Sequence, residues 1–189
     1  MIRLAIALLT ALVASGCAST YKVQRADGDK PLQVLSRASS VYISRAADGQ
    51  YGGAEYRNSG AATSQAVAAA FAAYASRVGQ GTSPETLDAG FSHSREGGFT
   101  YFVESTILHW EDRNTEWSGR PDVISIKIAV YEVSTRKAID SATIDGKSKW
   151  ATFGGDHPQD LLKEPVSNYV AQLYGAPMPT PTKRPAAPD

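Results

Sequence analysis

The sequence has very little cysteine, with Cys17 as the single thiol among 189 residues. One cysteine excludes an internal disulfide framework and zinc sites built from cysteine pairs. The sequence also lacks a net charge, because 19 basic residues balance 19 acidic ones. Without a basic excess the chain has no electrostatic footprint for nucleic acid, so we expect no nucleic-acid partner.

Long uncharged hydrophobic runs are also missing. The run from Leu4 to Val13 is well short of the roughly 20 residues that cross a bilayer as a helix. It follows the basic Arg3 and precedes the small residues Ala14, Ser15 and Gly16, which is the organisation of a secretory signal peptide. We therefore predict a signal peptide over residues 1–16 and no permanent transmembrane helix.

The position of Cys17 predicts lipidation. Small residues directly before a cysteine resemble the lipobox of bacterial lipoproteins, with Ala14 where leucine is commoner; a chance cysteine is the alternative. Two or three acyl chains on Cys17 would hold the protein on a membrane effectively for good. Ala18 follows, rather than the aspartate that favours retention in the inner membrane. We expect a lipid-anchored protein on the periplasmic face of the outer membrane.

Composition along the chain predicts one globular domain between two unfolded segments. Residues 17–30 are polar and aperiodic, as expected of a lipidated tether. Residues 31–175 carry the hydrophobic patterns of a globular periplasmic domain. Residues 176–189 hold five of the ten prolines, which predicts a disordered tail.

The first half of the domain is predicted to contain a strand, a long loop and two helices. Residues 40–44 read as a strand, and glycines and polar residues over 51–60 indicate a loop. Alanine-rich residues 61–78 repeat apolar side chains at helical spacing, ending at Gly79, with Asn58, Ser59 or Thr63 as the cap. Ser83 and Pro84 are typical of the start of a second helix, which Gly97 and Gly98 would end.

The second half of the domain is predicted to contain three strands and a terminal helix. Residues 99–110 are rich in aromatic and β-branched side chains, which favours a strand. The strict alternation over 124–130, a turn, and residues 138–150 predict an antiparallel hairpin. Helical spacing returns over 157–162 and 165–174. The fold class is therefore α/β (α+β), a mixed sheet of about four to five strands with an antiparallel hairpin, packed by about three helices.

Catalytic and metal-binding motifs are scarce. No HExxH, GxSxG or cysteine pair is present, and we predict no catalytic residue, no metal and no cofactor. His109 lies next to Glu111 and Asp112, so an enzyme acting on an envelope glycan is an alternative. Adjacent strand residues point to opposite faces, however, so two such carboxylates do not flank one glycosidic bond.

Aromatic residues in or beside loops form the best candidate binding surface. Exposed tyrosine and tryptophan are common anchors of protein recognition. The alternative is that they form a small core beneath the long connections. The candidates are Tyr51, Tyr56, Trp110 and Trp117.

A family resemblance supports the predicted fold and the predicted location in the cell envelope. It rests on Trp110 to Arg113 with Glu116 and Trp117, the isoleucine-rich strand, residues 140–144, and residues 152–169. The chain resembles an uncharacterised family of Gram-negative lipoproteins, a domain of unknown function of the 4823 type, over residues 31–175. More remotely it is similar to the α/β domains of the TolB amino-terminal region, of curli-secretion lipoproteins and of the activators of penicillin-binding proteins.

These observations lead to three functional hypotheses. The first is a non-enzymatic binding or adaptor module, anchored through Cys17, for another envelope protein or peptidoglycan. The alternatives are the glycan-acting enzyme and a structural or stress-related lipoprotein without a dedicated ligand. One binding surface requires the loops over 51–58 and 111–121 to lie on the same end of the sheet.

Overall fold

The computed structural model describes residues 19–29, 31–113, 121–148 and 157–179. Within these ranges the chain forms eight strands, three α-helices and one short 3₁₀ helix. The elements are β1 (Thr20–Arg25), β2 (Ser40–Arg45), β3 (Gly49–Tyr51), β4 (Ala54–Tyr56), α1 (Ser59–Ala72), β5 (Arg77–Pro84), α2 (Leu87–Glu96), β6 (Tyr101–Glu111), β7 (Val123–Glu132), β8 (Ala138–Lys147), the 3₁₀ helix (Pro158–Leu161) and α3 (Lys163–Leu173).

Six strands form one mixed sheet in the order β1-β8-β7-β6-β2-β5. β1, β8, β7 and β6 are successively antiparallel, whereas β5 and β6 both run parallel to β2. The short strands β3 and β4 form a separate hairpin. The structure confirms the predicted class, with a mixed sheet, an antiparallel β7–β8 hairpin and three helices, but the sheet has six strands instead of four to five.

The parallel strands are joined by two helical crossovers. The chain passes from β2 through α1 to β5 and then returns through α2 to β6, on the other side of β2. Right-handed crossovers that run in opposite directions place their helices on opposite faces of a sheet. Accordingly, Phe71 of α1 packs in one apolar cluster and Phe91 of α2 in the other.

The inner face of the sheet carries the main core. The alternating pattern of β7 buries Ile124, Ile126 and Ile128 completely on this face, as the period of two predicts. Helices α1 and α3 cover them, and Tyr169 of α3 is the largest side chain that is fully buried.

The outer face is apolar only where α2 covers it. There Phe91 packs against Phe102 and Tyr131, with ring centroids 4.9 and 5.3 Å apart. The outer face of β1, β8 and β7 is polar, and Asp145 accepts hydrogen bonds from Gln24 and Ser125 at 3.1 and 2.7 Å. An antiparallel sheet with one packed and one polar face is common.

The structure corrects the prediction of an unstructured tether over residues 17–30. Thr20–Arg25 forms edge strand β1, paired with β8 from Thr20 opposite Lys147 to Arg25 opposite Ala142. Tyr21 bonds to Asn168 of α3, and Val23 packs against the main core. The globular domain therefore begins near residue 20, because β8 offers a free edge and α3 offers contacts.

The structure also corrects the boundaries around the first two helices. Helix α1 ends at Ala72, and residues 77–84, predicted to end one helix and start the next, form strand β5. Val78 pairs with Val41 of β2, so sheet pairing overrides the helical spacing of Val78. Thr86 caps α2, accepting a hydrogen bond from the amide of Ala89 at 3.3 Å.

Several predicted features lie outside the described residues. These are the signal peptide over 1–16, the lipidation site Cys17, the aromatic residue Trp117 and the tail beyond residue 179. None of the helices in the described ranges is long and apolar enough to cross a membrane.

Candidate functional site

The β3–β4 hairpin, residues 49–56, is fixed at its base by the start of α1. Both carboxylate oxygens of Asp48 accept backbone hydrogen bonds, from Asn58 at 3.0 Å and from Gly60 at 2.8 Å. The carboxylate thus satisfies free amides at the positive end of the helix. The Ser59 hydroxyl accepts from the amide of Gly49 and donates to the carbonyl of Tyr56, which closes the hairpin.

Two glycines allow the hairpin base to pack this closely. A Cβ atom on Gly60 would stand 2.2 Å from the carbonyl oxygen of Ala46. A Cβ atom on Gly49 would stand 2.8 Å from Cβ of Trp110 and 2.9 Å from Cγ2 of Ile107. The hairpin therefore lies directly against the second half of β6.

This half of β6 has a free edge for the hairpin to cover. β2 pairs with β6 only from Tyr101 to Val103, although β6 continues to Glu111. The pairing with β7 shifts between Ile107 and His109, which leaves Leu108 in a bulge. Bulges bend a strand and re-aim side chains; Leu108 is 54% exposed.

The side chains that meet here form what we call the Tyr51 site, which consists of Tyr51, His109, Glu111 and Arg113. The rings of Tyr51 and His109 are 4.3 Å apart between centroids and tilted by 56°. His109 Nε2 lies 3.4 Å from Glu111 Oε2, and Arg113 Nε donates to Glu111 Oε1 at 2.7 Å. Tyr51 is 45% exposed, so the site offers an aromatic ring beside a histidine and an arginine–carboxylate pair.

Asp122 ties the end of β6 to the start of β7. Its carboxylate accepts a hydrogen bond from the amide of Arg113 at 2.7 Å, and its own amide donates to the Ser148 hydroxyl at 2.8 Å. Burial raises the pKa of the Asp122 carboxyl, and the charge of Asp112 adds to this, whereas the Arg113 amide opposes it. Asp122 therefore holds the backbone that positions Arg113.

The Tyr51 site lies near one end of the sheet, which we call the Thr20 end. Here Thr20 of β1, Lys147 of β8, Val123 of β7 and Glu111 of β6 stand side by side. The loop over 51–58 and the chain leaving β6 at 111–113 meet at this end. Within the described residues, the two segments that a single binding surface requires therefore lie close to each other.

The four aromatic candidates have different positions. Tyr51 is exposed at the site. Tyr56 is partly buried and packs against the main core. Trp110 is only 3% exposed and belongs to the main core, so its prediction as a surface residue is wrong. The alternation along β6 turns Trp110 inward and His109 outward, opposite Ser125.

Three residues of this region were not singled out from the sequence. They are Leu108, Arg113 and Asp48. Nothing local marks Leu108 as a bulge residue, and Asp48 caps a helix that begins eleven residues later. Arg113 had a signal, since it follows two acidic residues at the end of a predicted strand.

The chemistry of the Tyr51 site favours recognition over catalysis. No group of three histidine, cysteine or carboxylate side chains within the described ranges could hold a metal ion. The Glu111 carboxylate is already engaged by Arg113. Tyrosine and arginine, which Tyr51 and Arg113 supply here, are enriched at protein-binding surfaces.

A second polar cluster lies at the opposite end of β1. Arg25 forms an ion pair with Asp140 and donates to Gln172 Oε1 at 3.0 Å, and its guanidinium lies 4.7 Å from the centre of the Tyr169 ring. The side chains of Arg25 and Asp140 are 3% and 5% exposed. A cleft of about 400 Å³ runs beside it, lined by Lys22 to Arg25, Gly28, Asp29 and Gln172. The buried pair holds β1 against β8 and α3, so we assign it a structural role.

Comparison with solved structures places the fold among known ones. The PelC dodecamer from Paraburkholderia phytofirmans is similar with a TM-score of 0.62 and 14% identity, over 84% of this chain and 99% of that one. Lipoprotein GNA1162 from Neisseria meningitidis matches with a TM-score of 0.45 and 12% identity, over 72% and 96%. The LpoB C-terminal domain from Salmonella enterica matches with a TM-score of 0.30 and 15% identity, over 62% and 84%.

Comparison of sequences identifies the family. No curated protein matches the chain. The model of the domain of unknown function DUF4823 matches residues 33–173, well over half of the chain and nearly the range over which the sequence resembles that family. The protein therefore belongs to the DUF4823 family.

Proposed function

We propose that this protein is a non-enzymatic binding or adaptor module of the cell envelope, anchored through lipid on Cys17 to the periplasmic face of the outer membrane. The observation that carries the proposal is the meeting of Tyr51 with His109 at the end of β6. It makes one exposed surface from two segments that are distant in sequence. The partner is another envelope protein or peptidoglycan.

The anchor is tested separately from the surface. Metabolic labelling with a palmitate analogue should label the protein, and Cys17→Ser should abolish the label. Fractionation of the envelope should place the labelled protein with the outer membrane. Label that persists in Cys17→Ser, or protein found only with the inner membrane, would contradict the proposed address.

The binding surface is tested by site-specific photo-crosslinking in cells. A photo-crosslinking amino acid in place of Tyr51 should give one discrete adduct, either to a protein or to fragments released by muramidase. The matched control is Leu32, which is 70% exposed and precedes Leu35, whose amide donates to the carbonyl of Leu173 at the end of α3. Adducts of equal yield from both positions would contradict the assignment of the Tyr51 site as the binding surface.

The enzyme alternative is tested with isosteric substitutions. Glu111→Gln and Asp112→Asn remove negative charge and proton exchange while keeping the shape of each side chain. We expect Asp112→Asn to complement a deletion strain fully, since Asp112 lies outside the Tyr51 site. Glu111→Gln should keep at least part of the complementation, because its amide oxygen can still accept the hydrogen bond from Arg113. Loss of complementation, with the fold intact by circular dichroism, would favour the enzyme.

The structural or stress-related alternative predicts a different deletion phenotype. If the protein only stabilises the envelope, its loss should sensitise cells to detergent, osmotic shock and cell-wall antibiotics. Normal growth under all three conditions would argue against it and favour the adaptor.

Self-association is a second candidate, favoured by the likeness to PelC. That protein assembles as a dodecamer and shares its fold with this chain over 99% of its own length. Within the described sheet, β1 and β5 are the outer strands, and free strand edges are natural pairing surfaces. Analytical ultracentrifugation of the lipidated protein in detergent should then show a discrete oligomer, and a monomer at all concentrations would exclude it.

A further inference from the structure

We propose that the Thr20 end of the domain rests on an anionic phospholipid surface through Lys22, Lys147 and Leu108, which places the Tyr51 site at the membrane. This inference rests on the lipid anchor of the proposed function and deepens it. It names the lipid surface as the neighbour of that site, and it restricts the partner of Tyr51 to molecules within reach of the bilayer.

The first argument is the length of the link to the anchor. Cys17 stands three positions before Thr20, the first residue of β1. Three residues span at most about 11 Å even when fully extended. Since Thr20 is already paired with Lys147, the folded sheet begins within that distance of the lipidated residue, whatever the conformation of the link.

The second argument is the arrangement of strands at the Thr20 end. Thr20, Lys147, Val123 and Glu111 form one row across four strands. With strands about 4.8 Å apart, the row is roughly 15 Å wide. Together with the short link, this width keeps Glu111 and the Tyr51 site beside it within about 26 Å of the lipidated residue.

The third argument is the charge on the outer face at this end. Lys22 lies opposite Asp145, and Lys147 is two residues further along β8 on the same face; both lysines are exposed. Two of the nearby carboxylates are engaged within the protein, because Asp145 accepts from Gln24 and Ser125 and Glu111 accepts from Arg113. Exposed ammonium groups beside a bilayer are attracted to anionic lipid headgroups.

The fourth argument is the exposed apolar side chain at the bulge. Leu108 is 54% exposed beside His109, and within the described residues this is more than any other large apolar side chain near the Thr20 end. An exposed apolar side chain on β6 and exposed lysines on β1 and β8, at the same end of the sheet, suit the boundary between headgroups and acyl chains, where lysines keep their charges in water.

The opposite end of the domain supplies matched controls. β8 is ten residues long, so its other end lies roughly 30 Å from the row. Leu32, which is 70% exposed, and the exposed Lys137 both belong to that region. They match Leu108 and Lys147 in residue type and differ in distance from the anchor.

Depth-dependent quenching tests the proposal on the full lipidated protein. Cys17 is consumed by lipid, so Leu108→Cys or Leu32→Cys introduces the single reactive thiol for a fluorophore. Each labelled protein is reconstituted into vesicles of phosphatidylethanolamine and phosphatidylglycerol that contain a nitroxide-labelled lipid. We expect quenching at position 108 to be several-fold stronger than at position 32.

Equal quenching at the two positions, or stronger quenching at position 32, would overturn the proposal and leave the anchor intact. If neither labelled protein floats with vesicles, the anchor of the proposed function has failed, and the orientation fails with it. Flotation and quenching are separate measurements, so the two failures are distinguishable.

Charge reversal sharpens the test. Lys22→Glu with Lys147→Glu should reduce quenching at position 108 at least twofold while flotation is unchanged, because the acyl chains still hold the protein. Lys137→Glu should leave quenching as it is. Unchanged quenching in the double variant would overturn the role of the two lysines.

Discussion

Two charged clusters among the described residues differ in burial: the cluster of Arg25 with Asp140, called here the Arg25 cluster, and the Tyr51 site. The Arg25–Asp140 pair is almost fully buried, with Tyr169 and Gln172 around it. In the Tyr51 site, Arg113 and His109 remain 26% and 28% exposed and Tyr51 lies above them. Both contain an arginine paired with a carboxylate, but only the Tyr51 site has an exposed aromatic ring beside the pair.

This difference is consistent with a structural role for the Arg25 cluster and the proposed binding role for the Tyr51 site. Desolvating an ion pair is costly unless the pair is well bonded, so a buried pair has to be complete within the fold. The Arg113–Glu111 pair is only partly buried, with side chains 26% and 13% exposed, so we expect it to contribute less to stability than the Arg25–Asp140 pair. The Tyr51 ring beside it stays exposed. Four substitutions test whether the two clusters differ in their contributions to stability and to binding.

Arg25→Ala should destabilise the domain by about 3–5 kcal/mol, because it leaves the buried Asp140 carboxylate without its cation. Urea denaturation measures the loss. The double variant Arg25→Met with Asp140→Leu should recover most of the stability, since it removes both charges and keeps volume. A loss below about 1 kcal/mol for Arg25→Ala would mean that the pair behaves like a surface pair.

Tyr51→Ala should weaken partner capture at least tenfold, or about 1.4 kcal/mol, because exposed tyrosines act as anchors. Its stability should change by about 1 kcal/mol or less, since only the contact with His109 is lost. Capture of the cross-linked adduct in cell extracts measures the first effect and urea denaturation the second. Tyr21→Ala, at a tyrosine of similar exposure (41%), is the control; equal losses in both variants would contradict the prediction.

Asp122→Asn should remove part of the dependence of stability on pH. The pKa of Asp122 is raised from 3.8 in the folded protein by burial, so the native state binds more protons than the unfolded state above that pH. Stability from this group is therefore present at low pH and decreases as pH rises through the raised pKa. Each unit of pKa shift corresponds to about 1.4 kcal/mol.

Urea denaturation at a series of pH values from 3.8 upward measures this dependence. The decline should be shallower in the variant, because the raised pKa of Asp140 still contributes to it, while Asp88→Asn, at an exposed carboxylate, should leave it unchanged. If the slope of the Asp122→Asn curve matches that of the unmodified protein, the raised pKa does not contribute to folding.

Leu108→Ala should change the free energy of unfolding by less than about 0.5 kcal/mol, because the side chain is mostly exposed. Leu162→Ala is the matched substitution at a leucine that is only 1% exposed, and it should cost about 2–5 kcal/mol. Thermal or urea denaturation compares the two. Similar costs at both positions would show that Leu108 is part of the folded core and not available to a lipid surface.

Local patterns predicted the central elements well. The hairpin was predicted from the alternation of isoleucines in β7 and from the turn before β8. Alternation of buried and exposed positions can be recognised from adjacent residues alone. The helix stop at Gly97 and the following strand were also correct. By contrast, β1 was missed because its residues are mostly polar, and its pairing partner lies more than 110 residues away.

The candidate site was predicted only in part. Tyr51 was identified because it lies in a glycine-rich loop, where aromatic side chains are exposed. Trp110 was misplaced because its position in a strand near the loops did not reveal which face it occupies. His109, which the sequence offered only as a catalytic alternative, became part of the surface through its contact with Tyr51, 58 residues away in sequence.

The sequence by itself determined the features that depend on neighbouring residues: the fold class, the helix formers, the hairpin and the proposed address at Cys17. The tertiary structure decided which strands share an edge, which carboxylate caps α1, and which aromatic residue reaches the surface at the end of β6. These depend on contacts between distant segments. The free energies of such contacts come from packing and desolvation in the assembled sheet. They cannot be inferred from the pattern of neighbouring residues in the sequence.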